Sequence, residues 1–203
     1  AAGTPAVSTA ELTSQLVVTL HGALTKFYTQ KNCRLNTRFV NELMRRQPGL
    51  GWCLAPLVAQ HVGDGRDAYL CGEACNHLTT LLQQKHALGG ASASCLLPHA
   101  ALVQQQLLAF LARDGLKAKH LLPPLKLAHA LLTALRGAQA AAAAPAADTF
   151  VGAIEALQLK HPEAARAGAV SGLCRKLETL AQQVQSNVPP PGSAKKANKK
   201  PKA

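Results

Sequence analysis

The stretch LTKFYTQKNCRLNTRFVNELMRRQPGLGWCLAPLVAQHV, residues 24 to 62, decides how the chain is read. It holds the only tryptophan, Trp52, together with Phe27, Tyr28 and Phe39. Phe39, Leu43 and Met44 mark the apolar side of a helix over about 35 to 46. Gln47-Pro48-Gly49 stops it, because the residue before a proline avoids helical geometry and glycine takes conformations that others do not. Trp52, Leu54, Leu57, Val58 and His61 then belong to a short third helix over about 51 to 62. Lys31-Asn32-Cys33-Arg34 breaks the chain ahead of the second helix. Phe27, Phe39, Leu43, Trp52 and Leu57 are expected to hold the first three helices together.

Working outward, the same plan continues. Ser8-Thr9-Ala10-Glu11 reads as a capping box, with a hydroxyl for an orphan amide and a glutamate three residues on. It opens a first helix running to about Gln30, with Leu12, Leu16, Val17, Leu20, Leu24 and Phe27 on one face. Beyond the Gly63-Asp64-Gly65 turn, a fourth helix over about 66 to 86 carries Tyr69, Leu70, Ala74, His77, Leu78, Leu81 and Leu82. A Gly/Ala/Ser linker at 89 to 94 leads to a fifth helix, about 95 to 113, ended by Asp114-Gly115. The sixth, about 117 to 136, meets Pro123-Pro124 early, which calls for a later start or a kink. Residues 137 to 147 are alanine-rich and read as a variable loop or frayed extension. A seventh helix starts near Pro145, and an eighth covers about 162 to 188. No residue-level motif recurs. The expectation is all-α: an irregular α-solenoid, armadillo/HEAT-like, of about seven or eight antiparallel helices over 1 to 188, and a disordered basic tail at 189 to 203.

Composition agrees. Hydrophobic residues make up 48% but aromatics only 3%, so the core must be built of leucine and alanine. The chain begins at Ala1 rather than methionine and reads as the C-terminal piece of a longer protein. Its first fifteen residues lack a basic region followed by an apolar run, so they do not read as a secretory signal. No apolar run approaches the ~18 residues of a membrane span, so no membrane is expected as partner. The six cysteines read as reduced thiols of a cytosolic or nuclear protein.

Catalytic chemistry finds little footing. Cys71 and Cys75 share one helix face with His77 nearby, but no second ligand pair has the spacing of a structural zinc site, so small buried thiols are the simpler reading. The eight histidines are scattered, there is no nucleophile elbow and no glycine-rich phosphate loop. Asp64 and Asp67 sit where acids cap a helix, not in the carboxylate cluster that two-metal chemistry needs. No metal, no cofactor, no catalytic residue and no small-molecule substrate are assigned.

Charge is the better lead. The formal net charge is +12, and only five of the 22 Lys and Arg residues lie in the last nine positions. Such a field draws nucleic acid or acidic protein. Lys31, Arg34, Arg38, Arg45 and Arg46 crowd the second helix and its entry, with 34, 38 and 45 able to lie on one side. They are the candidate nucleic-acid or partner-binding residues, meeting phosphates without reading sequence. Tyr28, interleaved with them, reads as partly buried or as a base-stacking ring. Lys195, Lys196, Lys199, Lys200 and Lys202 form a terminus of nuclear-targeting or nucleic-acid-binding type.

A family resemblance rests on the opening stretch. Phe27-x-Thr29-x-Lys31-Asn32, then Leu35, Phe39, Leu43, Arg46-x-Pro48 and Leu54-x-Pro56-Leu57-Val58-x-Gln60-His61, resembles the C-terminal helical region of one nucleolar family. That family holds Myb-binding protein 1a and DNA polymerase V, the latter also called DNA polymerase phi. DTFVGAIEALQLKHP, residues 148 to 162, resembles the segment that closes the family's helical array, and a lysine-rich tail follows as in the family. The resemblance implies a nuclear, mainly nucleolar helical scaffold tied to ribosomal RNA gene transcription, ribosome biogenesis and transcription regulation. Its implied partners are ribosomal DNA or RNA and transcription or pre-ribosomal proteins. The alternatives are DNA polymerase activity, as the family's name implies, and a HEAT-like cytoplasmic adaptor.

Overall fold

The computed structural model describes residues 9–30, 33–64, 67–83, 91–138 and 140–186. Every regular element among them is helical: α1 (Thr9–Thr29), α2 (Thr37–Arg46), α3 (Pro48–Asp64), α4 (Ala68–Leu82), α5 (Ala91–Leu111), α6 (Ala118–Ala138), α7 (Ala140–Lys160), α8 (Pro162–Arg166) and α9 (Gly168–Ser186). The all-α fold expected from the sequence is the fold observed. The basic tail, Lys31, Ser8 of the capping box and residues 89 and 90 of the linker lie outside the described residues, while residues 91 to 94, read as linker, open α5.

Local chemistry sets the boundaries. Asn36 caps α2, its side-chain oxygen accepting from the Phe39 amide at 3.0 Å. Gln47 closes α2 through its own amide, which donates to the Leu43 carbonyl at 2.8 Å, and its carbonyl then accepts the Gly51 amide at 3.2 Å. One residue thus joins two helices. Pro48 was expected to end a helix and leave a gap before the next. Instead it is the first residue of α3, where a proline's missing N–H costs nothing. Asp67 caps α4 by accepting from the Tyr69 amide at 2.9 Å, as the turn reading required.

Three other expectations are corrected. The alanine-rich run is the opening of α7, which starts at Ala140 and buries Ala143, Ala146 and Ala147. Alanine has the highest helix propensity, so a low-complexity run of it suits a helix docked through small side chains. The sixth helix starts at Ala118, ahead of Pro123-Pro124, so no later start is adopted. The eighth predicted helix is two, α8 and α9, parted at Ala167 with φ −56° and ψ 127°.

Packing follows two rows. In one, α1 lies on α3, α3 on α5 and α5 on α7; in the other, α2 lies on α4, α4 on α6 and α6 on α9. Cross-contacts α2–α3, α3–α4, α5–α6, α6–α7 and α7–α9 tie the rows together. The arrangement is repeat-like in that successive long helices alternate between rows. Helix α6 touches α4, α5, α7, α8 and α9, and buries Leu121, Leu125, Leu127, Leu131, Leu132 and Leu135. Each such leucine contributes about 1.5–3 kcal/mol by leaving water. Close approach needs small residues: a Cβ on Gly51 of α3 would sit 3.2 Å from Leu81 Cγ of α4 and 3.3 Å from Met44 Cγ of α2.

The face assigned to α2 was wrong at one point. Val40 and Met44, four apart, are the buried pair, Leu43 is half-buried, and Phe39 is 58% exposed. Phe27 and Trp52 are buried as expected, and Leu57 packs against the same core.

Candidate nucleic-acid interface

The basic cluster divides into two parts. Arg45 Nη2 reaches Glu42 Oε1 at 2.6 Å and Arg45 Nε reaches Oε2 at 2.8 Å. Arg46 Nε shares the same Oε1 at 2.6 Å. One carboxylate therefore holds two guanidinium groups along an exposed helix face. The Arg45 hydrogen bond first, and that of Arg46 next, bring the Glu42 carboxyl down to about 2. The same bond raises the Arg45 guanidinium's affinity for its proton. Exposed pairs of this kind add little to stability, but they lower the positive field that a phosphate would meet.

Arg34 and Arg38 behave differently. Both are exposed, and neither pairs with a carboxylate among the described residues. Arg38 lies on the solvent stripe of α2, seven residues before Arg45 and adjacent to exposed Phe39. Arg34 lines a hollow of about 510 Å³ between the end of α1, the α1–α2 connection and the start of α4. Its wall includes Phe27, Leu35 and Leu70, and Tyr69 stands at it 58% exposed. The Asp67 carboxylate also lines the hollow, where it is engaged by the Tyr69 amide. Burial, with the Glu73 and Asp67 charges behind it, raises the Tyr69 phenol, which stays neutral.

Of the two readings of Tyr28, a base-stacking ring or a partly buried side chain, the structure favours burial. It is buried, its hydroxyl 2.9 Å from His77 Nδ1, and its ring is stacked on His61 at 4.4 Å between centroids. His77 is fully buried, and its Nε2 has no hydrogen-bond partner among the described residues. Burial takes the His77 imidazole down to about 4, so it is neutral near pH 7. Desolvation likewise raises the Tyr28 phenol. Cys71 and Cys75 lie buried on the same helix, and burial pushes the Cys75 thiol up. Arg113 Nη1 lies 3.7 Å from Cys71 Sγ and its Nη2 donates to the Gly63 carbonyl, at the end of α3. Among the described residues, no group of three His, Cys, Asp or Glu side chains stands close enough to hold a metal ion. None of their helices is long and apolar enough to cross a membrane.

The exposed ring was legible only as a tyrosine at helical spacing. Tyr69 had been placed on the apolar face of α4, but it falls in the first turn and is exposed. No family model, no curated protein and no solved structure matches this chain.

Proposed function

We propose that the chain is a non-catalytic helical scaffold that binds ribosomal DNA or RNA and works with transcription or pre-ribosomal proteins in the nucleolus. The observation that carries the binding step is the pairing of Arg34 with exposed Tyr69 around one apolar hollow. Single-stranded nucleic acid is held by a cation on its backbone and an aromatic ring under a base, each contributing without regard to sequence. Arg38 and Phe39 repeat that pairing of cation and ring on the exposed side of α2. The nucleolar setting rests on the family resemblance of residues 24 to 62 and on the lysine-rich terminus.

The test is anisotropy titration of labelled single-stranded ribosomal RNA with the full chain over a salt series. A straight fall of log affinity with log salt is expected. Arg34→Ala with Arg38→Ala should flatten that slope, and Tyr69→Ala should weaken binding by about tenfold, the worth of one stacked base. Affinity indifferent to all three changes would remove this site from the reading. Affinity indifferent to salt would remove nucleic acid itself.

A further inference from the structure

A second concavity lies on the other row of helices. About 530 Å³ in volume, it is bounded by α2, α4, α6 and α9. Lys126 comes from α6 and Lys176 from α9, both exposed, and among the described residues no carboxylate lines the groove. His129 of α6 also lines the groove. Burial, and then the Lys176 ammonium, hold its imidazole below the usual range, so the two lysines supply the positive field. The rest of the lining is amides and hydroxyls, with Leu173 the one apolar side chain among the described residues.

These polar groups are arranged as half-used pairs. Thr80 Oγ1 lies 2.9 Å from the Asn76 main-chain carbonyl, to which it donates, and 3.3 Å from Asn41 Oδ1, so the Asn41 amide hydrogens are left to donate. Asn76 Nδ2 faces Glu73 Oε1 at 3.5 Å, which leaves the Asn76 oxygen to accept. Thr79 Oγ1 is buried with no hydrogen-bond partner among the described residues, though its residue lines the groove. A buried hydroxyl left unpaired costs about 1–3 kcal/mol, so a ligand that reaches it is favoured by satisfying it.

We infer that this groove binds an extended acidic peptide segment of a partner protein, its carboxylates meeting Lys126 and Lys176 and its main chain meeting the Asn41 and Asn76 amides. One peptide unit offers one acceptor and one donor, which is what Asn41 and Asn76 leave open. Nucleic acid fits less well here. Among the described residues, no aromatic ring lines the groove to receive a base, and no arginine offers the paired donors that grip a phosphate. The inference is independent of the nucleic-acid site, since the two share no residue.

The experiment uses the full chain, a labelled peptide of alternating Glu and Ser, and its Gln/Ser counterpart. Lys126→Ser with Lys176→Ser is compared with Lys117→Ser and Lys119→Ser, which removes the same charge from exposed positions of the α6 entry outside the groove. The Glu/Ser peptide should bind and the Gln/Ser peptide should not. The groove pair should lower affinity by about tenfold or more, as loss of charge-assisted bonds does, and the control pair far less. Asn41→Leu should weaken binding with the charge unchanged. Equal losses from both lysine pairs would mean diffuse attraction to a basic chain and would overturn the inference. So would a single-stranded oligonucleotide that depends on Lys126 and Lys176 while the acidic peptide does not.

Discussion

The Tyr28 hydroxyl and His77 Nδ1 lie 2.9 Å apart inside the protein, joining α1 to α4 across 49 residues of chain. His77 titrates near 4 when folded, against an ordinary 6.5. A histidine lowered by folding takes up its proton first in the unfolded chain. Its contribution is therefore whole above about 6.5 and is lost as pH falls toward 4. The difference of about two and a half units corresponds to about 3 kcal/mol. Urea unfolding followed by circular dichroism should show its midpoint dropping between pH 7 and 4. His77→Asn keeps a partner for Tyr28 and removes the titration, so its midpoint should fall less over that window. An unchanged slope in that variant would assign the acid loss to other groups.

Glu42 holds both Arg45 and Arg46, and its carboxyl remains ionised at any pH near neutral. Glu42→Gln therefore releases two guanidinium groups at once. Single-stranded nucleic acid should bind more tightly at low salt, with a log–log salt slope steeper by about one to two phosphate contacts. An unchanged slope would place α2's C-terminal turn away from the ligand.

What the sequence alone disclosed, and what it did not, divides by range. Helix-forming periodicity and the Asp67 cap act within a few residues, and they were legible. The face of α2 was misread because Phe39 and Leu43 have the same four-residue spacing as Val40 and Met44, and the docking of α2 on α3 and α4 decides which pair is buried. The alanine run read as a loop or a frayed helical extension because its composition favours helix but its burial depends on neighbouring helices. The Arg45–Glu42–Arg46 clamp is local, and Glu42 as the balance of this basic face is legible from its three- and four-residue spacings. The groove holding Lys126 and Lys176 could not, because four helices must dock before those two residues share a wall.

Phe39 and Met44 offer a direct check on that corrected face. Phe39→Ser should change stability by no more than about 0.5 kcal/mol, as surface substitutions do. Met44→Ala, at a side chain that is 2% exposed, should cost about 2–5 kcal/mol. Chemical denaturation of both variants measures it, and the reverse order would restore Phe39 to the core.

Arg113 fastens the end of α5 to two other elements. Its guanidinium donates to the Gly63 carbonyl and stands 5.5 Å over the Phe110 ring, while its own carbonyl lies 2.9 Å from His161 Nε2. Arg113→Met keeps much of the aliphatic stem and removes the charge. A loss of about 1.5–3 kcal/mol is expected, the range for hydrogen bonds from a charged donor. Denaturant midpoints at low and high salt check it, and the loss should persist in high salt because the site is partly buried.

The two-row packing has a consequence for how the chain comes together. Every principal contact joins helices no more than three steps apart in order, so native structure can form without first closing a long loop. Folding can then start in any adjacent trio and spread along the chain. Amide exchange should follow the same logic: protection greatest in α6, which has helices on several sides, and least in α1, whose principal neighbour is α3. Slow exchange in α6 alongside fast exchange in α1 would mark a molecule that opens from one end inward.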